Sequence, residues 1–196
     1  MRPDSGPAPS ICRDGYSTDP IFYDDQKRAS ANCARRRCYA RGVASHLDSQ
    51  RAGARPRTTP TNPHTQLDQN APPALQEKLF ALARALPEVV VGPSLVSVPG
   101  ARAFHLPRCA QPAAGGFMIE REFAHLHPAA DGSLHMALPP DIVDRVIENG
   151  WAERHPLAGK HGLPSNIVMV YGPRDDGELE VVAGLVRASH AHACRR

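Results

Sequence analysis

FMIEREFAHLHPAADGSLHMAL, residues 117–138, is the stretch whose reading decides the fold. Side chains alternate faces along a strand, so Phe123, His125 and His127 share one face and Ala124 and Leu126 the other. In the second run Ser133, His135 and Ala137 share a face, with Leu134, Met136 and Leu138 opposite. Pro128, Asp131 and Gly132 supply a turn between the runs. The stretch therefore reads as a β-hairpin. Burying Leu126 with Leu134, Met136 and Leu138 sets the register parity, because a one-residue slip would turn every leucine outward. The predicted register places His125 opposite His135 and His127 opposite Ser133, with cross-strand Cβ atoms about 4.5–5.5 Å apart. Three imidazoles then converge on one patch. The same alternation sends Glu120 and Glu122 to the leucine face.

Working outward, Leu75, Leu79, Leu82, Ala83 and Leu86 fall on one helical face, opened by Pro72 and Pro73 and ended by Pro87. Short β runs are predicted at 95–98 and 101–106, broken by Gly100, with His105 directed towards the histidine patch. After the hairpin, Pro139 and Pro140 open a helix carrying Ile142, Val143, Val146 and Ile147, and Gly150 is its natural stop. The continuously apolar run 167–171 predicts a central strand buried on both faces. A last helix is predicted from about Asp175 to His192, where Asp175 and Glu178 have capping-box spacing. The order α-β-β-β-β-α-β-α predicts an α+β fold, with a mostly antiparallel sheet, a central histidine-bearing hairpin and about three covering helices.

The 196 residues are enough for one ordinary domain and an extension. Residues 1–70 are rich in Pro, Arg, Ser and Thr, lack periodicity and hold few aliphatics, which predicts a disordered extension. A start assigned too far upstream would give the same patternless sequence. Residues 71–196 are then a single α+β domain. The extension holds 11 Lys/Arg against 7 Asp/Glu and the domain 12 against 13, so the basic balance is confined to the extension. The domain's charge disfavours nucleic acid as its partner. No apolar run is long enough to span a membrane and no signal-peptide pattern opens the chain. A cytoplasmic location is the expectation. Cys12, Cys33, Cys38, Cys109 and Cys194 are odd in number and irregularly spaced, which predicts scattered thiols in place of a disulfide framework.

Two chemistries follow from the hairpin. His125, His127 and His135 would offer three imidazole nitrogens to Zn²⁺, Fe²⁺ or Mn²⁺, leaving positions open for water or substrate, as in a metal-dependent oxygenase or hydrolase. Alternatively, Arg121, Phe123, His125, His127, His135, Trp151 and His155 would line a cleft for a small, anionic ligand in a non-enzymatic binding module. A protein-interaction role for the same face is a third reading. There is no P-loop, G-x-G-x-x-G or G-x-S-x-G motif. Cys109 would become a nucleophile only if His105 approached it.

EFAHLHP (122–128), DGSLHMALP (131–139), GWAERHPLAG (150–159) and YGPRDDGELEVV (171–182) occur in one order. Together they resemble the bacterial and fungal "luciferase domain" proteins, over roughly residues 75–190. That resemblance implies an α+β domain and carries over no catalytic residue. It is not a resemblance to the flavin-dependent luciferases, whose (β/α) barrels need about 250 residues.

Overall fold

The protein is seen in a computed structural model that describes residues 49–109 and 111–194. Along the chain these form α1 (Pro73–Arg84), β1 (Val90–Pro93), β2 (Arg102–His105), β3 (Glu122–Leu126) and β4 (Leu134–Ala137). They are followed by α2 (Pro140–Glu148), β5 (Ala152–Arg154), β6 (Ile167–Val170) and α3 (Asp176–Ala193). All lie within one compact unit, Arg41–Arg196. The six strands make a single sheet in the order β1-β2-β3-β4-β6-β5, and every pairing is antiparallel. This is the α+β architecture expected from the sequence, with the hairpin β3–β4 at its centre.

Hydrophobic parity explains the layering. Leu126, Leu134 and Met136 are fully buried in one apolar cluster. The same cluster takes Leu75, Leu79 and Ala83 from α1, Val143 and Val146 from α2, and Val182 and Leu185 from α3. All three helices therefore contribute to the core on the leucine face of the sheet. Ser189 of α3 anchors its helix there, donating to the carbonyls of Ala137 (2.8 Å) and Phe123 (3.2 Å). Both helices that follow a proline pair start at the second proline, where a missing N–H is harmless. Asp175 caps α3, its Oδ1 accepting from the Glu178 N–H at 2.8 Å. Glu178 does not complete the box; its carboxylate turns to Arg174 and Arg51.

The other face carries one continuous row across the sheet. Ala103, His125, His135, Met169 and Glu153 are successive cross-strand partners from β2 to β5. His125 does pair with His135, and the His127 N–H bonds to the Ser133 carbonyl at 2.9 Å.

Four expectations are corrected. The strand predicted at 95–98 is instead β1 at Val90–Pro93, and residues 94–99 are bends and turns. Strand β5 was invisible because it has only three residues and a charged one at its centre. The domain does not begin at residue 71. Residues 51–70 lie against it, held by polar anchors that leave no hydrophobic period. The Arg51 N–H bonds to the Asn149 carbonyl (2.8 Å), Gln66 accepts from the Gly172 N–H (3.0 Å), and Asn70 donates to the Asp131 carbonyl (2.9 Å). Lastly, Cys109 and Cys194 are joined in a disulfide although 85 residues apart in sequence. The backbone brings them together, since Pro112 bridges to Cys194 and the Ala113 N–H bonds to Ala193. Such bonds persist in oxidising compartments, so the cysteines no longer argue for a cytosolic address. The remaining cysteines, and residues 1–48 of the expected extension, lie outside the described residues. No helix among the described residues is long and apolar enough to cross a membrane.

Candidate functional site

The hairpin places His125 and His135 side by side, and Pro128, Asp131 and Gly132 turn the chain beside His127. Their exposures are 1%, 5% and 1%, so the histidine face is not solvated. Ring centroids are 5.1 Å apart for His125–His135, 4.6 Å for His127–His135 and 5.3 Å for His125–His127. One ligand nitrogen from each can be chosen so that all three lie within 4.8 Å of one another. His155 joins them, its ring 4.6 Å from His135. His64, from the segment the sequence assigned to the extension, completes the group at 3% exposure. Its ring is 5.3 Å from both His135 and His155.

Carboxylates back three of the imidazoles. His125 Nδ1 lies 2.6 Å from Glu122 Oε1, His127 Nδ1 2.5 Å from Asp131 Oδ2, and His64 Nε2 2.6 Å from Glu153 Oε1. Burial raises the pKa of each acid, but the hydrogen bonds it accepts outweigh this, and each is held below the usual carboxylate range. The donors to Glu122 are His125, the Leu95 N–H and Ser94. Asp131 accepts from His127 and from both Ser133 donors. Glu153 accepts from His64 and from Tyr171, whose hydroxyl burial and Glu153 together push up to about 12. Burial drives His125, His135 and His155 towards the neutral form, His155 to about 4 and His135 well below its ordinary value, with neighbouring histidines adding to the effect.

An ionised carboxylate only accepts. His125 and His127 must each carry their proton on Nδ1, and His64 must carry its proton on Nε2. In the neutral imidazoles the lone pairs then fall on His125 Nε2, His127 Nε2 and His64 Nδ1. His135 sits between two of them, with Nδ1 3.1 Å from His125 Nε2 and Nε2 3.2 Å from His64 Nδ1. A neutral imidazole has one N–H and cannot supply both contacts. Meanwhile His127 Nε2 is buried with no hydrogen-bond partner. The corner formed by His125, His127 and His135 thus holds a buried nitrogen that no hydrogen-bonding group among the described residues reaches.

A second triad, His64, His135 and His155, also has mutually close nitrogens. There His155 Nδ1 accepts the Leu157 N–H at 3.1 Å, which places the His155 proton on Nε2. That triad lacks a third lone pair.

Other residues predicted for the site lie elsewhere. A bulge between Phe104 and His105 shifts the β2–β3 register. It breaks the alternation of β3 before Ala124, so Phe123 packs in the main core against Phe104 and His190. The same bulge brings Glu122 to the histidine face, where simple alternation had put it on the leucine face. Arg121 lies over the Phe117 ring, 5.6 Å from its centroid. Trp151 belongs to the main core and donates from Nε1 to the Ser49 carbonyl at 2.7 Å. His105 lies 3.3 Å from the Pro93 carbonyl through Nε2. Sequence reasoning missed Glu122, Asp131, Glu153 and His64. Asp131, four residues after His127, and Glu122, three before His125, were near in sequence, but the bulge hid the face of Glu122.

The fold and site define a class: an α+β domain whose single antiparallel sheet has helices on one face and a buried histidine cluster on the other. Residues 120–189 match the family model of the Luciferase domain, so this segment of the chain is similar to the luciferase-domain family. Proteins of Armillaria gallica, Armillaria mellea and Neonothopanus nambi, each described as a luciferase, are 42% identical over 72 residues. The match covers 36% of this chain and 27% of each relative's length. No solved structure gives a significant match. His125, His127, His135 and His155 lie inside the family segment; His64 lies outside it.

Proposed function

We propose that the domain is a metal-binding module holding one divalent transition-metal ion on His125 Nε2, His127 Nε2 and His135 Nδ1. One observation carries this reading: ring nitrogens of three buried histidines converge within 4.8 Å, and one of them, His127 Nε2, has no hydrogen-bond partner. Zinc–imidazole bonds of about 2.0–2.1 Å would set tetrahedral ligand nitrogens roughly 3.3 Å apart. His125 Nε2 and His135 Nδ1 lie at 3.1 Å, close to that spacing. The carboxylates on His125 and His127 support it too, because metal-bound histidines commonly donate their other N–H to such a group. Three neutral ligands leave the full charge on the ion and a position open, which suits a small anionic ligand better than Arg121 or Trp151 does. The relatives' description as luciferases gives a second reading, that the bound metal serves an enzyme reaction. Its support is that the family segment holds all three ligands.

The test is metal analysis of protein purified without chelator or histidine tag. About one ion of zinc, iron or manganese per chain is expected, with none retained by His127→Ala. Failure of the wild type to take up Zn²⁺, Fe²⁺ or Mn²⁺ on titration would overturn the proposal.

A further inference from the structure

We infer that His64, from outside the family segment, is a positioning residue that sets the tautomer of His135 and so decides whether the site holds a metal or a proton. The inference rests on the metal reading for its consequence, but not for its geometry. His135 has a single proton and two neighbours presenting lone pairs. Given to His125, that proton would close the corner with an ordinary hydrogen bond and occupy the nitrogen the metal needs. Given to His64, it leaves His135 Nδ1 bare beside His125 Nε2 and His127 Nε2.

The structure commits His64 to receiving it. His64 Nε2 faces Glu153 Oε1 at 2.6 Å, and the Tyr171 hydroxyl bonds to the other carboxylate oxygen at 3.0 Å. In the neutral His64 ring that contact places the proton on Nε2, so Nδ1 accepts. The His64 and His135 planes differ by 15°, so the 3.2 Å contact between Nδ1 and Nε2 suits an in-plane hydrogen bond. Which nitrogen of a histidine binds a metal is set by the hydrogen bond its other nitrogen makes. Residues 51–70 carry His64 to this place. Thr58 pairs with Gln66 across a short bridge, and Gln66 is tied to Gly172, which follows Tyr171.

Two measurements test this. Side-chain ¹⁵N NMR of the metal-free wild type should show His135 protonated on Nε2. In His64→Ala it should be protonated on Nδ1. Titration with Co²⁺ should show roughly 10- to 100-fold weaker binding in His64→Ala, the range for lost outer partners of metal-bound histidine. His64→Gln, whose Oε1 can accept from His135, should recover part of the loss, as should imidazole added to His64→Ala. Wild-type Co²⁺ affinity in a folded His64→Ala, or a His135 proton on Nδ1 in the wild type, would overturn the inference. If His64→Ala does not fold, the wild-type tautomer decides alone. Wild-type protein that binds no Co²⁺ but keeps the Nε2 tautomer would support the positioning and sink the metal reading.

Discussion

Glu122 shows how one residue joins fold to site. Its side chain is fully buried and accepts three hydrogen bonds, one each from a histidine, a serine hydroxyl and a backbone N–H. The Ser94 and Leu95 donors pin the segment after β1 over the site, while His125 is oriented from behind. Glu122→Gln keeps the shape but turns one acceptor oxygen into a donor and removes the charge. A buried donor or acceptor left unmatched costs about 1–3 kcal/mol, so thermal or denaturant melting should show a loss of that order. Metal affinity should fall about 10- to 100-fold, because the Nδ1–H of His125 loses its charged acceptor. Full retention of both stability and metal binding would mean that Glu122 orients nothing. This residue was not legible in the sequence. Strand alternation has period two, and the bulge that brings Glu122 onto the histidine face leaves no mark in residues 117–138 themselves.

At the scale of elements, the hairpin β3–β4 was legible because its two faces differ so sharply in chemistry. Leu126 and Leu134 are directly paired and fully buried, and His125 and His135 are paired on the opposite side. Leu134→Ala should therefore cost about 2–5 kcal/mol, read as a shift in denaturant midpoint at constant m-value. A change within about 0.5 kcal/mol would place Leu134 at the surface and undo the face assignment. The three helices were legible for a related reason: each combines a prolyl or acidic start with an apolar stripe. Strands β1 and β5 were not. Both lie at sheet edges, where Val90 and Val91 are exposed and Glu153 faces the histidines, so neither shows a buried-strand pattern. The disulfide was equally hidden, because a link over 85 residues follows tertiary approach and not cysteine spacing.

At the scale of the whole molecule, the unforeseen part is the segment 51–70, which covers the histidine face. Its composition fits a disordered tail because it buries few aliphatic side chains. It is held instead by ions and amides. The main ionic anchor is Arg51, buried and 3.1 Å from Glu178 Oε2, with Glu178 also bonded to the Arg174 N–H and Nε. Burial pushes the Glu178 carboxyl up, but the Arg174 hydrogen bonds and the Arg51 charge outweigh it, and the group ends below the usual carboxylate range. A carboxylate whose pKa is lower folded than unfolded adds stability above its unfolded value. That contribution is lost as pH falls through the folded one. Acid should therefore loosen the hold of α3 on Arg51. In Glu178→Gln the amide cannot titrate, so the variant should melt lower than wild type at pH 7, with the gap closing as pH drops below the ordinary glutamate range. Melting curves at steps from pH 7 down to pH 3 would show this convergence. A gap that stayed constant with pH would show that Glu178 holds the segment by shape alone and that its charge contributes nothing.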